Sequence, residues 1–366
     1  MSEIAWNLNL WLMPLFLLLA GASAWYTLSK RSNRQYLRER LVHLGLPLLI
    51  LVLTFAVPAT YLMQIWTGQF SSSLVVFYLH FFDSNLSLFH LWFLAYLLIY
   101  SLVTLPLFRF LQSRAGRRLI DRLARVCQSM GGLYVFALPL LIVQLALYGL
   151  APQTLSLVLS NDWTRFTSLL LEFIFGYILI SEPRFQSAIA SQWKVALAVA
   201  LAASALMFAI AWQDGFDPYR DLPTDYSWRY AAFWTVFVFG SWSWLIAWLG
   251  FGQRFLNVNR PLLKQATAAS FPLYLLHPMV VIPSALVVTQ WTANGLVAAL
   301  MLTTIVLAGT LALTAVLGRW RVARFMLGLK TGSASSQVFA LRQKDPARWP
   351  RRLLALGSRR RPMPLP

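Results

Sequence analysis

WLMPLFLLLAGASAWY, residues Trp11 to Tyr26, holds no charged side chain, and Lys30, Arg31, Arg34, Arg38 and Arg40 follow it closely. A helix crosses the hydrocarbon core of a bilayer in about 20 residues. A basic cluster at its end stays on the cytoplasmic side. The run therefore reads as a membrane span whose carboxyl end lies inside. Ala22-Ser23-Ala24 resembles a cleavage site, but the region before the run carries Glu3 and no Lys or Arg, so an uncleaved span is expected.

The rest of the chain has the same character. Its 366 residues are 58% hydrophobic and 12% charged, with a mean hydropathy of +0.61, more apolar surface than a soluble core can bury. Nine apolar runs are long enough to span, near 8–28, 43–65, 88–108, 132–150, 166–181, 193–212, 230–250, 266–288 and 295–317. Every second connection is basic, including Arg109 to Arg125, Arg184 with Lys194, and Arg254 to Lys264. The intervening connections hold Arg165, Arg220 and Arg229, but they collect Asp83, Asp162, Asp214, Asp217, Asp221 and Asp225. The expected fold is an all-α polytopic membrane protein of about nine transmembrane helices, with the amino terminus outside and the carboxyl terminus cytoplasmic. Residues 1–318 form the transmembrane domain. Residues 319–366 read as a basic, disordered cytoplasmic tail near anionic headgroups.

The topology accounts for the net charge of +19, so no nucleic-acid partner is expected. Cys127 is the only cysteine, which excludes an internal disulfide and a cysteine-based metal cluster. No metal site is expected.

The informative residues are the polar ones at depth. SFPLYLLHPMVV, Ser270 to Val281, places Ser270, Tyr274 and His277 at spacings of four and three, on one helical face. Pro272 and Pro278 each remove a backbone donor, so carbonyls of the preceding turn need other partners. A kinked helix beside a hydrated cavity accommodates this. His277 then either bonds a carbonyl freed by a proline or faces a substrate path. His90 opens the third span with Trp92 and Tyr96 beside it, as an interfacial or a functional histidine; His80 and His43 are assigned no role. Glu172, with Arg165 two turns earlier, either pairs with a histidine, tyrosine or arginine of another helix, or orients a catalytic imidazole.

WLMPLFLLLAGASAWY, YLRERLVHLGLP, HLWFLAYLLIYSL and SFPLYLLHPMVV together resemble the acyltransferase-3 membrane family, closest in appearance to its glucan biosynthesis protein C succinyltransferase branch. The resemblance runs from about residue 8 to 317. It implies a bacterial inner-membrane enzyme that moves an acyl group, succinyl or acetyl, from cytoplasmic acyl-CoA to hydroxyls of an extracytoplasmic glycan. Membrane lipid, glycan and acyl-CoA are then the partners, acyl-CoA being a donor substrate and not a bound cofactor. His277 and His90 become candidates for proton transfer or acyl positioning, with Glu172 as a catalytic carboxylate. Tyr274 and Ser270 are candidate donors to the acyl oxygen. Trp92 and Arg165 join them on the substrate side, and Arg114, Arg117 and Arg118 can attract the phosphates of the donor.

Members of the family usually begin with one more helix, bearing an Arg and, about ten residues later, a His. Nothing before Trp11 supplies that pair, so a misassigned start or a truncated, inactive relative is expected. The competing class is a multi-span transporter or flippase, which a polar cavity with proline-broken helices also suits.

Overall fold

A computed structural model describes residues 2–66, 68, 71–80, 88–147, 163–214, 226–258, 260–292 and 294–329. These residues are helical, with no strand among them. The helices are α1 (Ser2–Leu28), α2 (Asn33–Arg40), α3 (Leu46–Leu51), α4 (Val57–Trp66), α5 (Leu74–His80), α6 (Trp92–Val103), α7 (Leu105–Gln112) and α8 (Arg114–Cys127). They continue with α9 (Ala137–Leu147), α10 (Trp163–Ser181), α11 (Pro183–Asp214), α12 (Trp228–Phe251), α13 (Pro261–Trp291), α14 (Gly295–Leu317) and α15 (Arg321–Met326).

By length and composition, seven helices can cross a membrane: Leu10–Leu28, Asn33–Tyr61, Trp163–Ser181, Pro183–Ile210, Trp228–Leu256, Leu263–Ala285 and Gly295–Leu317. An eighth forms if α6 and α7, bent by 48°, count as one span. Among the described residues the fourth predicted run is an apolar helix, Gly132–Leu147, that falls short of that length. The count by length is therefore seven or eight, where the sequence suggests nine. The aspartates at 83, 162, 217, 221 and 225, and the tail from residue 330, lie outside the described residues.

Prolines explain where the spans depart from regular α-helix. Between α2 and α4 the helix widens twice into π turns, Leu41–Gly45 and Val52–Ala56, each ending just before a proline, Pro47 and Pro58. A proline ring collides with the carbonyl four residues back, and widening the turn removes the collision. In the second π turn the Val57 amide donates to the Val52 carbonyl. The next carbonyl, Leu53, would look to Pro58, which has no N–H, and the Tyr78 hydroxyl of α5 donates to it instead. Pro106 sits in the first turn of α7 just after the bend at Thr104.

Two apolar clusters form, and α6 lies between them. One gathers α1, the inner faces of α7 to α12 and the Tyr96–Tyr100 face of α6. The other gathers α3 to α5, Leu91, Leu94 and Ala95, Leu275 and Leu276 of α13, and Leu327 beyond α15. Helices α1 and α10 cross at close backbone approach. A Cβ added at Gly21 would stand 1.8 Å from the Phe173 carbonyl oxygen, and one at Gly176 would stand 1.8 Å from that of Leu18. Small residues permit such backbone approach, which drives helix association in lipid.

Helix α8 is amphipathic. Gly116, Ile120, Ala124 and Cys127 are buried, while Arg114, Arg117, Arg118, Arg122 and Arg125 point outward. Ser113 caps its start by accepting from the Gly116 amide at 3.2 Å. Buried Gln192 of α11 fastens its end, donating to the carbonyls of Cys127 (3.0 Å) and Ser129 (3.1 Å) and accepting from Gly131 N–H (3.1 Å).

Gly176→Ala should lower the thermal stability of the purified protein by an amount corresponding to about 1–3 kcal/mol, the cost of overpacking. Gly252→Ala, where nothing lies within 4 Å, is the neutral control. Burial pushes the Cys127 thiol up to about 11. Maleimide labelling of the folded protein at pH 8 should therefore be slow, with roughly one thiolate in a thousand, and should quicken about tenfold per pH unit.

Candidate active site

The site is built at the contact between the start of α6 and the middle of α13. His90 lies in a 3₁₀ turn, Phe89–Leu91, that leads into α6. Its ring centroid is 5.5 Å from that of His277, 5.7 Å from Tyr274 and 5.8 Å from Phe55, all edge-on. Neither ring nitrogen of His90 meets a hydrogen-bond partner in good geometry, although both are buried. Buried polar atoms are nearly always bonded, and the backbone of Leu275 is the one partner near this imidazole among the described residues, so it keeps bonding capacity to spare. The Tyr274 hydroxyl donates to the His90 backbone carbonyl at 2.6 Å and so locks α13 to α6.

His277 has its own anchor. Pro278 leaves the Tyr274 carbonyl without its helical donor, and Nδ1 of His277 lies 2.7 Å from that oxygen and 3.1 Å from the Leu273 oxygen. A carbonyl only accepts, so Nδ1 carries the proton of this bond and Nε2 of the neutral ring carries the lone pair. The geometry shows the first of the two readings of His277 from sequence, a ring bonded to a carbonyl that a proline has freed. The freed carbonyl orients the ring, and that bond leaves Nε2 unused.

The opposite face of α6 carries the rest. Trp92, Tyr96 and Tyr100 lie in a row, with Trp92–Tyr96 at 5.2 Å and Tyr96–Tyr100 at 5.5 Å. From α10 the Arg165 guanidinium stands 4.6 Å over the Trp92 ring, a cation–π contact. Glu172 is 4% exposed, within electrostatic reach of Tyr100, and its Oε2 has no hydrogen-bond partner. It bonds to neither histidine and makes no ion pair among the described residues.

Two expected oxyanion donors are engaged elsewhere. Ser270 is exposed, and its hydroxyl donates to the Thr267 carbonyl at 2.8 Å. The proton of Tyr274 is held by His90 as described. The structure thus joins His90, His277 and Tyr274, and separately Trp92, Arg165 and Glu172, but leaves Ser270 outside both groups.

At the far end of α6–α7, roughly 25 Å from His90 at 1.5 Å per residue, lies a cleft of about 770 Å³. Lys30, Arg31, Arg109, Arg117, Asp121 and Glu182 line it together with Gln112 and Tyr177. Of the three arginines expected to meet the donor, only Arg117 lines this cleft; Arg114 and Arg118 are exposed on α8. Sequence reasoning counts Arg109 only as loop charge, and the available signal is its i, i+3 spacing to Gln112. The Tyr177 ring is stacked on Phe108, with centroids 3.8 Å apart and planes 6° from parallel.

These features define a polytopic all-α membrane protein that brings two half-buried imidazoles side by side. The family model for the acyltransferase domain matches residues 2–319, and the chain belongs to the acyltransferase-3 family. It is thus a membrane acyltransferase. No curated protein and no solved structure matches it.

His277→Ala should lower stability by about 1 kcal/mol through the orphaned Tyr274 carbonyl. His277→Asn, whose amide can donate to the same oxygen, should recover most of that loss in a thermal-unfolding comparison.

Proposed function

We propose that the enzyme transfers a succinyl or acetyl group from cytoplasmic acyl-CoA to a hydroxyl of an extracytoplasmic glycan, working in a bacterial inner membrane. The observation that carries this reading is the His90–His277 pair, whose rings stand 5.5 Å apart, one with no hydrogen-bond partner in good geometry and the other anchored through Nδ1.

In this reading Nε2 of His277 takes the proton of the glycan hydroxyl as its oxygen attacks the thioester carbonyl. A ring N–H of His90 donates to the oxyanion that forms. Collapse of the tetrahedral intermediate breaks the C–S bond, and the departing thiolate recovers the proton from the imidazolium. An ester C–O bond is gained and CoA thiol released. The aromatic walls of Phe55, Phe93 and Tyr274 keep water away, which disfavours hydrolysis of the thioester. Glu172 stays outside proton transfer, because it bonds to neither ring.

His90→Asn and His277→Asn should each reduce transfer of labelled acyl groups to glycan by about 100-fold or more. Both should insert and melt nearly as the parent does. Parent-level transfer by the stable His277→Asn protein would end this assignment.

A further inference from the structure

The basic cleft carries a charge that the protein does not neutralise. Its two carboxylates, Asp121 and Glu182, are both held by Arg184, the latter at 2.8 Å. Arg31 is paired with Glu39. The one guanidinium of Arg184 offsets only one of Asp121 and Glu182, so Arg109, Arg117 and Lys30 stand against one remaining negative charge and the cleft stays net positive. Arg109 is half-buried, and every acceptor it reaches is uncharged: Asn33 Oδ1, Gln112 Oε1 at 2.7 Å and the Arg31 carbonyl at 3.2 Å. A guanidinium has five N–H donors, so the three bonds hold its plane in place while keeping its full charge and part of its fork free. Gln112 is fixed in turn, its Nε2 donating to the Tyr177 hydroxyl at 2.9 Å. The side chain of Arg117 makes no hydrogen bond or ion pair among the described residues.

A rigid, uncompensated guanidinium with a second arginine and a lysine around it is the recognition chemistry of a phosphate group. The cleft, about 770 Å³, is far larger than a bare phosphate needs and has the size of a pocket for an organic ligand. Trp25, Leu28, Leu111 and Ile120 give it apolar walls. We infer that the cleft binds a phosphate ester with an organic body, its phosphate on the fork of Arg109 and its charge shared by Arg117 and Lys30. Two sources have this chemistry, a nucleotide thioester and a phospholipid headgroup. The first deepens the acyl-transfer reading, on which it rests, by naming the seat of the donor at the end of the bundle remote from the imidazoles.

The full chain in nanodiscs of zwitterionic lipid, titrated with coenzyme A, tests this. Arg109→Gln should weaken binding about tenfold or more, Arg117→Gln by a smaller factor, and Arg109→Lys by an intermediate one, since it keeps charge but loses the fork. Added salt should weaken the parent more than Arg109→Gln. If the parent ignores coenzyme A but retains anionic phospholipid by native mass spectrometry, and Arg109→Gln loses it, the ligand is a headgroup and the inference stands with that source. Unchanged coenzyme A affinity together with unchanged lipid retention in Arg109→Gln overturns it. Should Arg109→Gln not fold, Arg117→Glu decides in the same two assays. Transfer activity separates the claims: activity indifferent to Arg109→Gln excludes the acyl donor as the ligand of the cleft and leaves only the headgroup arm to decide it, whereas Arg109-dependent binding without any transfer sinks the acyl-transfer reading alone.

Discussion

A proline inside a membrane helix leaves a carbonyl oxygen that lipid cannot satisfy, and much of this structure is the response to that constraint. Near Pro58 the helix widens and a tyrosine from α5 reaches the exposed Leu53 oxygen. At Pro278 the answer comes from within the same turn, where the His277 ring donates to the Tyr274 oxygen. The Tyr274 side chain then crosses to the His90 carbonyl, so the repair of α13 also sets the position of α6. Backbone satisfaction and site geometry are here one set of bonds.

Helix α6 divides the polar residues into two groups. One side of it joins the histidines through α13, and the other joins Arg165 and Glu172 through α10. The division follows from register: His90 and Trp92 are two positions apart, which on a helical path points their side chains to well-separated directions. The close α1–α10 crossing at Gly21 and Gly176 holds the second group rigidly, whereas the α13 side is fastened by the tyrosine and a cluster of leucines.

Much of this was legible in the sequence, since apolar runs report lipid directly. The runs at 8–28, 230–250, 266–288 and 295–317 all fall within observed helices, because each is long and uniformly apolar. Pro278 next to His277 announced a freed carbonyl, and the structure supplies the bond. Two things were hidden. Spacing of four and three placed Ser270 with Tyr274 and His277, but periodicity says nothing of what packs on each turn, and Ser270 lies where α13 is exposed. Arg109 looked like any loop cation, because Asn33 is brought to it by the tertiary fold alone and the i, i+3 spacing to Gln112 is a common pattern by itself. Positive-inside bias and ligand recognition use the same residue types, so composition cannot separate them.

The stacked Phe108 and Tyr177 rings have a consequence for the membrane itself. At 3.8 Å, face against face, they are in van der Waals contact and leave no width for a file of water. A continuous thread of water from the basic cleft to the imidazoles would conduct protons and drain whatever ion gradient the cell maintains. The stacked pair closes the space between α7 and α10 beside the cleft against such a thread.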